Sequence, residues 1–137
     1  MMETFIGVKC VKAEWQCNDK GEPGYRVVYP DGYESWSPEE AFEKYYFPIT
    51  RSDKLTPEDI GIWMGMSIKT ALDGDAKTTL VRVEMPSGFI DWEASSCVSP
   101  ENYNQEIGRK ICLEHIENRV WKLLGFVLQW GVHGLSR

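Results

Sequence analysis

MPSGFIDWEASSCVSPEN, residues 85–102, repeats a phrase already used at residues 29–40, YPDGYESWSPEE. Both stretches read Pro-x-Gly-aromatic-x-x-Trp, and both run on to Ser-Pro-Glu. Proline sets φ for the first corner of a turn, and glycine takes the left-handed position that a Cβ resists. An aromatic strand then leaves the turn. Ser-Pro-Glu follows, where serine can cap a helix whose first residue is proline. Each copy therefore reads as a tight turn, a returning strand and a helix start.

Working outward from the first copy, residues 25–29, YRVVY, are β-branched and aromatic and read as the strand that enters the turn. Residues 16–24, QCNDKGEPG, form a polar loop. Residues 4–12 read as a further strand, with Ile6, Val8 and Cys10 on one face. Ser37, Pro38 and Glu40 have the spacing of a capping box. Ala41, Phe42, Tyr45 and Tyr46 share one face of the short helix that Pro48 limits.

Working outward from the second copy, residues 48–55 are the best boundary, and Thr56-Pro57-Glu58-Asp59 starts a short helix. Residues 66–72 and 78–85 read as strands joined by a turn at Asp73-Gly74-Asp75. Phe89 to Val98 is a third strand, with Ile90, Trp92 and Ala94 on one face. After a false start at Ser99-Pro100-Glu101, a long helix covers residues 104–130. Its apolar stripe is Ile107, Ile111, Ile116, Val120, Leu123, Leu124 and Val127, widened by Trp121 and Leu128.

The predicted class is α+β. It comprises two small β-hairpin-then-helix units, with antiparallel strands packed on a long C-terminal helix. Residues 1–50 make a ββα-like unit and residues 51–137 an α-βββ-α unit, and the two can share one core. The strand-to-helix spacing differs between the copies: Trp36 abuts Ser37, whereas six residues separate Trp92 from Ser99. Convergence on the same turn chemistry is favoured over duplication.

The net charge of −6 is uneven, with 12 acidic and 7 basic residues in 1–60 against 9 and 8 in 61–137. An acidic surface is a poor match for a phosphate backbone, so direct nucleic-acid binding is not expected. An acidic first half can instead meet a basic partner surface. The start, MMETFIGVK, is too polar for a signal peptide, and no run reaches the ~18 apolar residues of a membrane span. The four cysteines, at 10, 17, 97 and 112, form no Cys-x-x-Cys pair. They read as reduced thiols of a cytosolic chain. His115 and His133 have no metal-ligand spacing, so neither a metal nor a cofactor is expected.

No phosphate-binding glycine loop, zinc-protease helix or nucleophile elbow is present. Cys112 with His115 one turn later reads as a buried helix cysteine beside a surface histidine. Asp91 and Glu93 share a strand face and read as the wet side of a sheet. The aromatics are more informative, with six tryptophans in 137 residues. Large aromatics fill small cores and also supply binding hot spots. Tyr25, Tyr33, Glu34, Trp36, Glu39 and Glu43 make the candidate protein-binding set. Arg82, Arg109, Lys110 and Arg119 make the alternative, ligand-binding set.

Residues 78–128 resemble a family of uncharacterised bacteriophage proteins named after genes 49 and 66 of two phages. The carrying residues are TTLVRVEMPSGF, CVSPENYNQEIGRKI and VWKLLGFVL. Gly24-Tyr25, YPDGYESWSP and the aromatic helix after them resemble a segment common at the N-terminus of small phage and prophage proteins. Ser-Gly stands where the family favours Asn-Gly, and Cys112 where a small alanine is usual. The resemblance implies a phage or prophage origin and residence in the host bacterial cytoplasm, and it carries no catalytic residue. The resulting expectation is a non-enzymatic accessory protein that binds a host protein, as a counter-defence or host-takeover inhibitor. The alternative is a homo-oligomer that sequesters a nucleotide signal.

Overall fold

The computed structural model describes residues 1–136. Two antiparallel three-stranded sheets and three α-helices make an α+β protein. It divides into two compact units, one of residues 1–54 with 126–137 and one of residues 55–125.

The first unit contains β1 (Lys12–Trp15), β2 (Gly24–Val28), β3 (Glu34–Pro38) and α1 (Glu39–Tyr45), with β2 in the middle of its sheet. The strand expected over residues 4–12 is displaced: β1 begins where that segment ends. Lys12 pairs with Val28, the last residue of β2. Beyond it the partner chain turns at Pro30, which has no N–H to extend the ladder, so residues N-terminal to Lys12 have nothing to pair with. Cys10 instead donates its N–H to the carbonyl of Gly131 at 3.1 Å.

The capping box expected at Ser37 and Glu40 does not form. Ser37 pairs with Tyr25 and Pro38 with Gly24, so the strand runs on to the helix start. The N-cap position falls on Pro38, which has no side-chain donor or acceptor to offer. The N–H of Glu39 is taken by the carbonyl of Pro23 at 3.2 Å.

The second unit contains α2 (Pro57–Met66), β4 (Ile68–Asp75), β5 (Thr78–Glu84), β6 (Ile90–Ser96), a 3₁₀ turn (Pro100–Asn102) and the first part of α3 (Gln105–His133). Here the expected helix start holds. The Thr56 backbone N–H donates to Asp59 Oδ2 at 2.9 Å, the Asp59 N–H donates to Thr56 Oγ1 at 3.4 Å, and Pro57 opens the helix. The far end has no basic residue in its last turn, but Lys69 Nζ donates to the carbonyl of Met64. Asn104, not Ser99, caps α3 through Oδ1 to the Ile107 N–H at 3.1 Å. Gly134, at φ +67°, closes its other end with an N–H to the carbonyl of Trp130. Between β4 and β5 the turn lies at Ala76-Lys77, and the expected turn at residues 73–75 is a bulge inside β4.

The repeated phrase folds the same way twice. Gly32 and Gly88 have φ of +90° and +85°, and their N–H groups donate to Tyr29 and Met85 respectively. Asp31 Oδ1 and Ser87 Oγ accept the N–H of the aromatic residue two positions on.

The core of the second unit is Ile60 and Met64 of α2, Val81, Val83 and Met85 on and after β5, and Cys112, Ile116 and Val120 of α3. Within this unit the buried stripe of α3 is thus Gly108, Cys112, Ile116 and Val120, a strict i, i+4 row. Ile107, Ile111, Leu123 and Val127, expected in that stripe, are exposed. The face expected for β6 is also reversed. Asp91 and Glu93 lie opposite Val83 and Val81, on the side facing α3, while Ile90, Trp92 and Ala94 face outward. A polar inner face is tolerated because α3 brings Arg119 to it.

Candidate functional site

On one face of the first sheet Trp15 stands opposite Tyr25, and α1 lies beside them. The Trp15 indole N–H donates to Glu39 Oε2 at 3.3 Å, and Tyr25 OH donates to Glu43 Oε2 at 2.7 Å. That hydrogen bond raises the Tyr25 pKa, since losing the proton would set two anions together. Tyr25 stacks on Phe42 at 4.4 Å between ring centres, and Phe42 on Tyr46 at 4.6 Å. Burial raises the Tyr46 hydroxyl pKa. Trp15 and Tyr45 stay 58% and 76% exposed.

Of the six residues singled out from the sequence, the structure therefore brings together Tyr25, Glu39 and Glu43. Glu34 lies on the other face of the sheet, where Arg26 bridges it to Glu14. Trp36 lies on that face too, its indole N–H donating to the carbonyl of Gln16 at 2.7 Å. Tyr33 sits at the turn, stacked on Tyr29 at 5.7 Å and 66% exposed. Trp15 is not among the six because the sequence pattern places the strand over residues 4–12, whereas it forms at Lys12–Trp15. Its register against Tyr25 is what marks it.

The charge of the chain lies in the same segment. Residues 14–43 contain eight acidic and two basic side chains, while the other residues contain 13 of each. The net negative charge of the chain is thus concentrated in the segment that carries Trp15, Tyr25 and Tyr33.

The second unit holds two polar clusters. In one, Arg119 donates to Asp91 Oδ2 at 2.8 Å, to Glu93 Oε2 at 2.7 Å and to the carbonyl of Trp92 at 3.3 Å. The guanidinium holds the Glu93 carboxyl below its usual range. His115 Nδ1 lies 3.5 Å from the same Glu93 oxygen. A depressed folded-state pKa contributes stability that is present above the unfolded value, near 4.5, and is lost as pH falls through the folded value. We expect the second unit to lose stability below about pH 4.5 through this group, and Arg119→Met to flatten that slope. At neutral pH the substitution is expected to cost about 1–2 kcal/mol, discounted because the guanidinium is 42% exposed. Urea midpoints measured at several pH values check both.

In the other cluster Tyr103 OH contacts Asp73 Oδ1 and, at 3.0 Å, Thr79 Oγ1, and Gln105 donates to Asp73 at 3.1 Å. The hydrogen bond to Asp73 raises the Tyr103 pKa, partly offset by Thr79. Gly108 lets α3 approach β5 here, since a Cβ on it would lie 2.3 Å from Thr79 Oγ1.

Burial raises the Cys112 thiol pKa, its Sγ faces the carbonyl of Thr79 at 3.9 Å, and His115 turns to Glu93. Among the described residues no group of three His, Cys, Asp or Glu side chains is placed to hold a metal. Also among them, no helix is long and apolar enough to cross a membrane. The four alternative cations do not converge. Arg82 pairs with Glu84 at 3.2 Å on the outer face of its sheet, and Arg119 is held by Asp91 and Glu93. Arg109 and Lys110 line an open groove of about 500 Å³ along α3, together with Glu106, Glu114 and Glu117.

Residues 41–132 match the phage protein family described by N4 Gp49 and phage Sf6 gene 66. No curated relative and no solved structure matches the chain.

Proposed function

The chain belongs to the N4 Gp49/phage Sf6 gene 66 family of phage proteins, and from that premise we propose that it works by binding a Lys/Arg-rich segment of a host protein in the bacterial cytoplasm. The observation that carries this reading is the exposed Trp15 held beside Glu39, with Tyr25 on Glu43 next to it, in the segment 14–43 that holds the net charge of the chain. The exposed ring of Trp15 stands beside the Glu39 carboxylate, and the Glu43 carboxylate stands on Tyr25, which is backed by Phe42. Ring faces attract Arg and Lys through the quadrupole, and carboxylates attract them through charge. Trp and Tyr are enriched among residues that dominate binding energy. Such a protein needs no chemistry of its own: occupying a basic functional surface of the host protein is enough to inhibit it, as a counter-defence or takeover factor would.

Capture from host lysate tests the reading. Wild type is expected to retain a partner that elutes with rising salt, because surface charge attraction is screened. Trp15→Ala is expected to weaken capture by about 30-fold, the scale of a 2 kcal/mol hot spot, and Glu39→Lys/Glu43→Lys to abolish it at low salt. Identical capture by wild type and the charge-reversed variant would end the proposal. Trp36 is unsuitable as a probe, because its ring closes over Gly24 within the hairpin.

A second reading has one observation of its own. Arg109 and Lys110 stand together beside an open groove along α3. A nucleotide held there in a homo-oligomer would be detected by thermal shift against cyclic and ADP-ribose-type nucleotides. The three glutamates that line the same groove oppose a phosphate, which ranks this reading second.

A further inference from the structure

The aromatic face of the first unit does not end at Tyr25. Alternation along β2 puts Tyr25 and Val27 on one side of the sheet, and Tyr29, just past the strand, belongs to the same side. Its hydroxyl lies 3.2 Å from Ser35 Oγ, and Ser35 pairs with Val27. Rings thus stand at two places on this face. One is Trp15 opposite Tyr25. The other is Tyr29, four residues along the chain from Tyr25 and so about 13 Å away at strand spacing.

The second place already holds a cation. Lys9 Nζ stands 4.4 Å from the centre of the Tyr29 ring. Among the described residues no carboxylate pairs with this ammonium, so the ring quadrupole and not a counter-charge holds it. The backbone beside it is fixed independently. Cys10 donates its N–H to the carbonyl of Gly131 at 3.1 Å, and a Cβ on Gly131 would lie 2.9 Å from Cys10 Sγ. Lys9 can therefore leave the ring by rotating its own flexible stem, with Cys10 still bonded.

We propose that Tyr29 is a second subsite for a basic side chain, filled by Lys9 in the free protein and given up to a Lys or Arg of the bound segment. This rests on the reading of the acidic aromatic surface as a Lys/Arg site, and it adds the span of that site. Two basic residues four positions apart in an extended segment reach Trp15 and Tyr29 together, because four residues cover about 13 Å. Lys9 is then an internal competitor, and a displaceable one. A cation–π contact at an exposed site corresponds to about two- to fivefold in affinity.

The probe is a short capped serine peptide with two lysines four positions apart, titrated at low salt so that screening is weak. In the free protein the ring current of Tyr29 is expected to hold the Lys9 ε-methylene proton resonance upfield, and the resonance should return to its ordinary position as the peptide binds. Lys9→Met is expected to tighten the peptide about two- to fivefold, and Tyr29→Leu/Lys9→Met to remove that gain. A peptide with a single lysine should gain nothing from Lys9→Met. Binding that Trp15→Ala weakens, with the Lys9 resonance unmoved or Lys9→Met without effect, overturns the inference and leaves the surface as a Lys/Arg site. Absence of any binding that Glu39→Lys/Glu43→Lys abolishes overturns both.

Discussion

Replacing Ile116 with alanine is expected to lower the stability of the second unit by about 2–5 kcal/mol, the largest effect of any single truncation in α3. The side chain has no solvent exposure and sits among Ile60, Met64, Val81, Val83 and Met85. Sheet and helices close around it on several sides, which limits how far the cavity can collapse. Ile107→Ala is the control. Periodicity alone puts Ile107 and Ile116 in one stripe and predicts similar costs. In the fold Ile107 is 60% exposed, and its truncation is expected to stay within about 0.5 kcal/mol. Urea unfolding followed by tryptophan fluorescence separates the two expectations.

Gly24→Ala is expected to destabilise the first unit by about 2–3 kcal/mol, at the upper part of the overpacking range. A Cβ at this position would lie 2.3 Å from Cζ2 of Trp36 and 2.4 Å from the carbonyl oxygen of Ser37. The carbonyl belongs to the strand ladder, so relief requires opening the pairing of Gly24 with Pro38. The ring is held in turn by its hydrogen bond to Gln16. Gly21→Ala makes the comparison. It too is strained, at φ +78°, but nothing lies within 4 Å of its added Cβ. Its cost is expected to be about 1 kcal/mol, from backbone conformation alone. Thermal unfolding of both variants measures the difference.

Local chemistry was legible in the sequence, and pairing was not. Both Pro-x-Gly turns and the Thr56–Asp59 capping box depend on residues within four positions of one another, and all formed as read. The repeated phrase was thus a reliable sign of the turns. It misled at Ser37, because the ladder with β2 extends through that residue and competes with helix capping. β1 was misplaced for a related reason: where a strand begins depends on where its partner ends. The faces of β6 and α3 failed in another way. Ile90 and Trp92 look like core residues, and Asp91 and Glu93 look wet, until α3 delivers Arg119 to the acids. An ion pair between residues 28 positions apart leaves no trace in periodicity.

The candidate surface was half legible for the same reasons. The charge and aromatic composition pointed to the first hairpin, and Tyr25, Glu39 and Glu43 do meet there. Trp15 joins them only through strand register. Trp36, as conspicuous in the sequence as any aromatic, is committed to holding its own hairpin.

Photo-cross-linking from position 45 tests the account most directly. Tyr45 is 76% exposed at the end of α1, and a photoreactive residue there leaves the Tyr25–Phe42–Tyr46 stack in place. In host cells it is expected to trap one protein through a Lys/Arg-rich peptide, and the adduct should vanish with Glu39→Lys/Glu43→Lys. An adduct that survives the charge reversal, or one that forms only when the probe is moved to position 107 on α3, would contradict it.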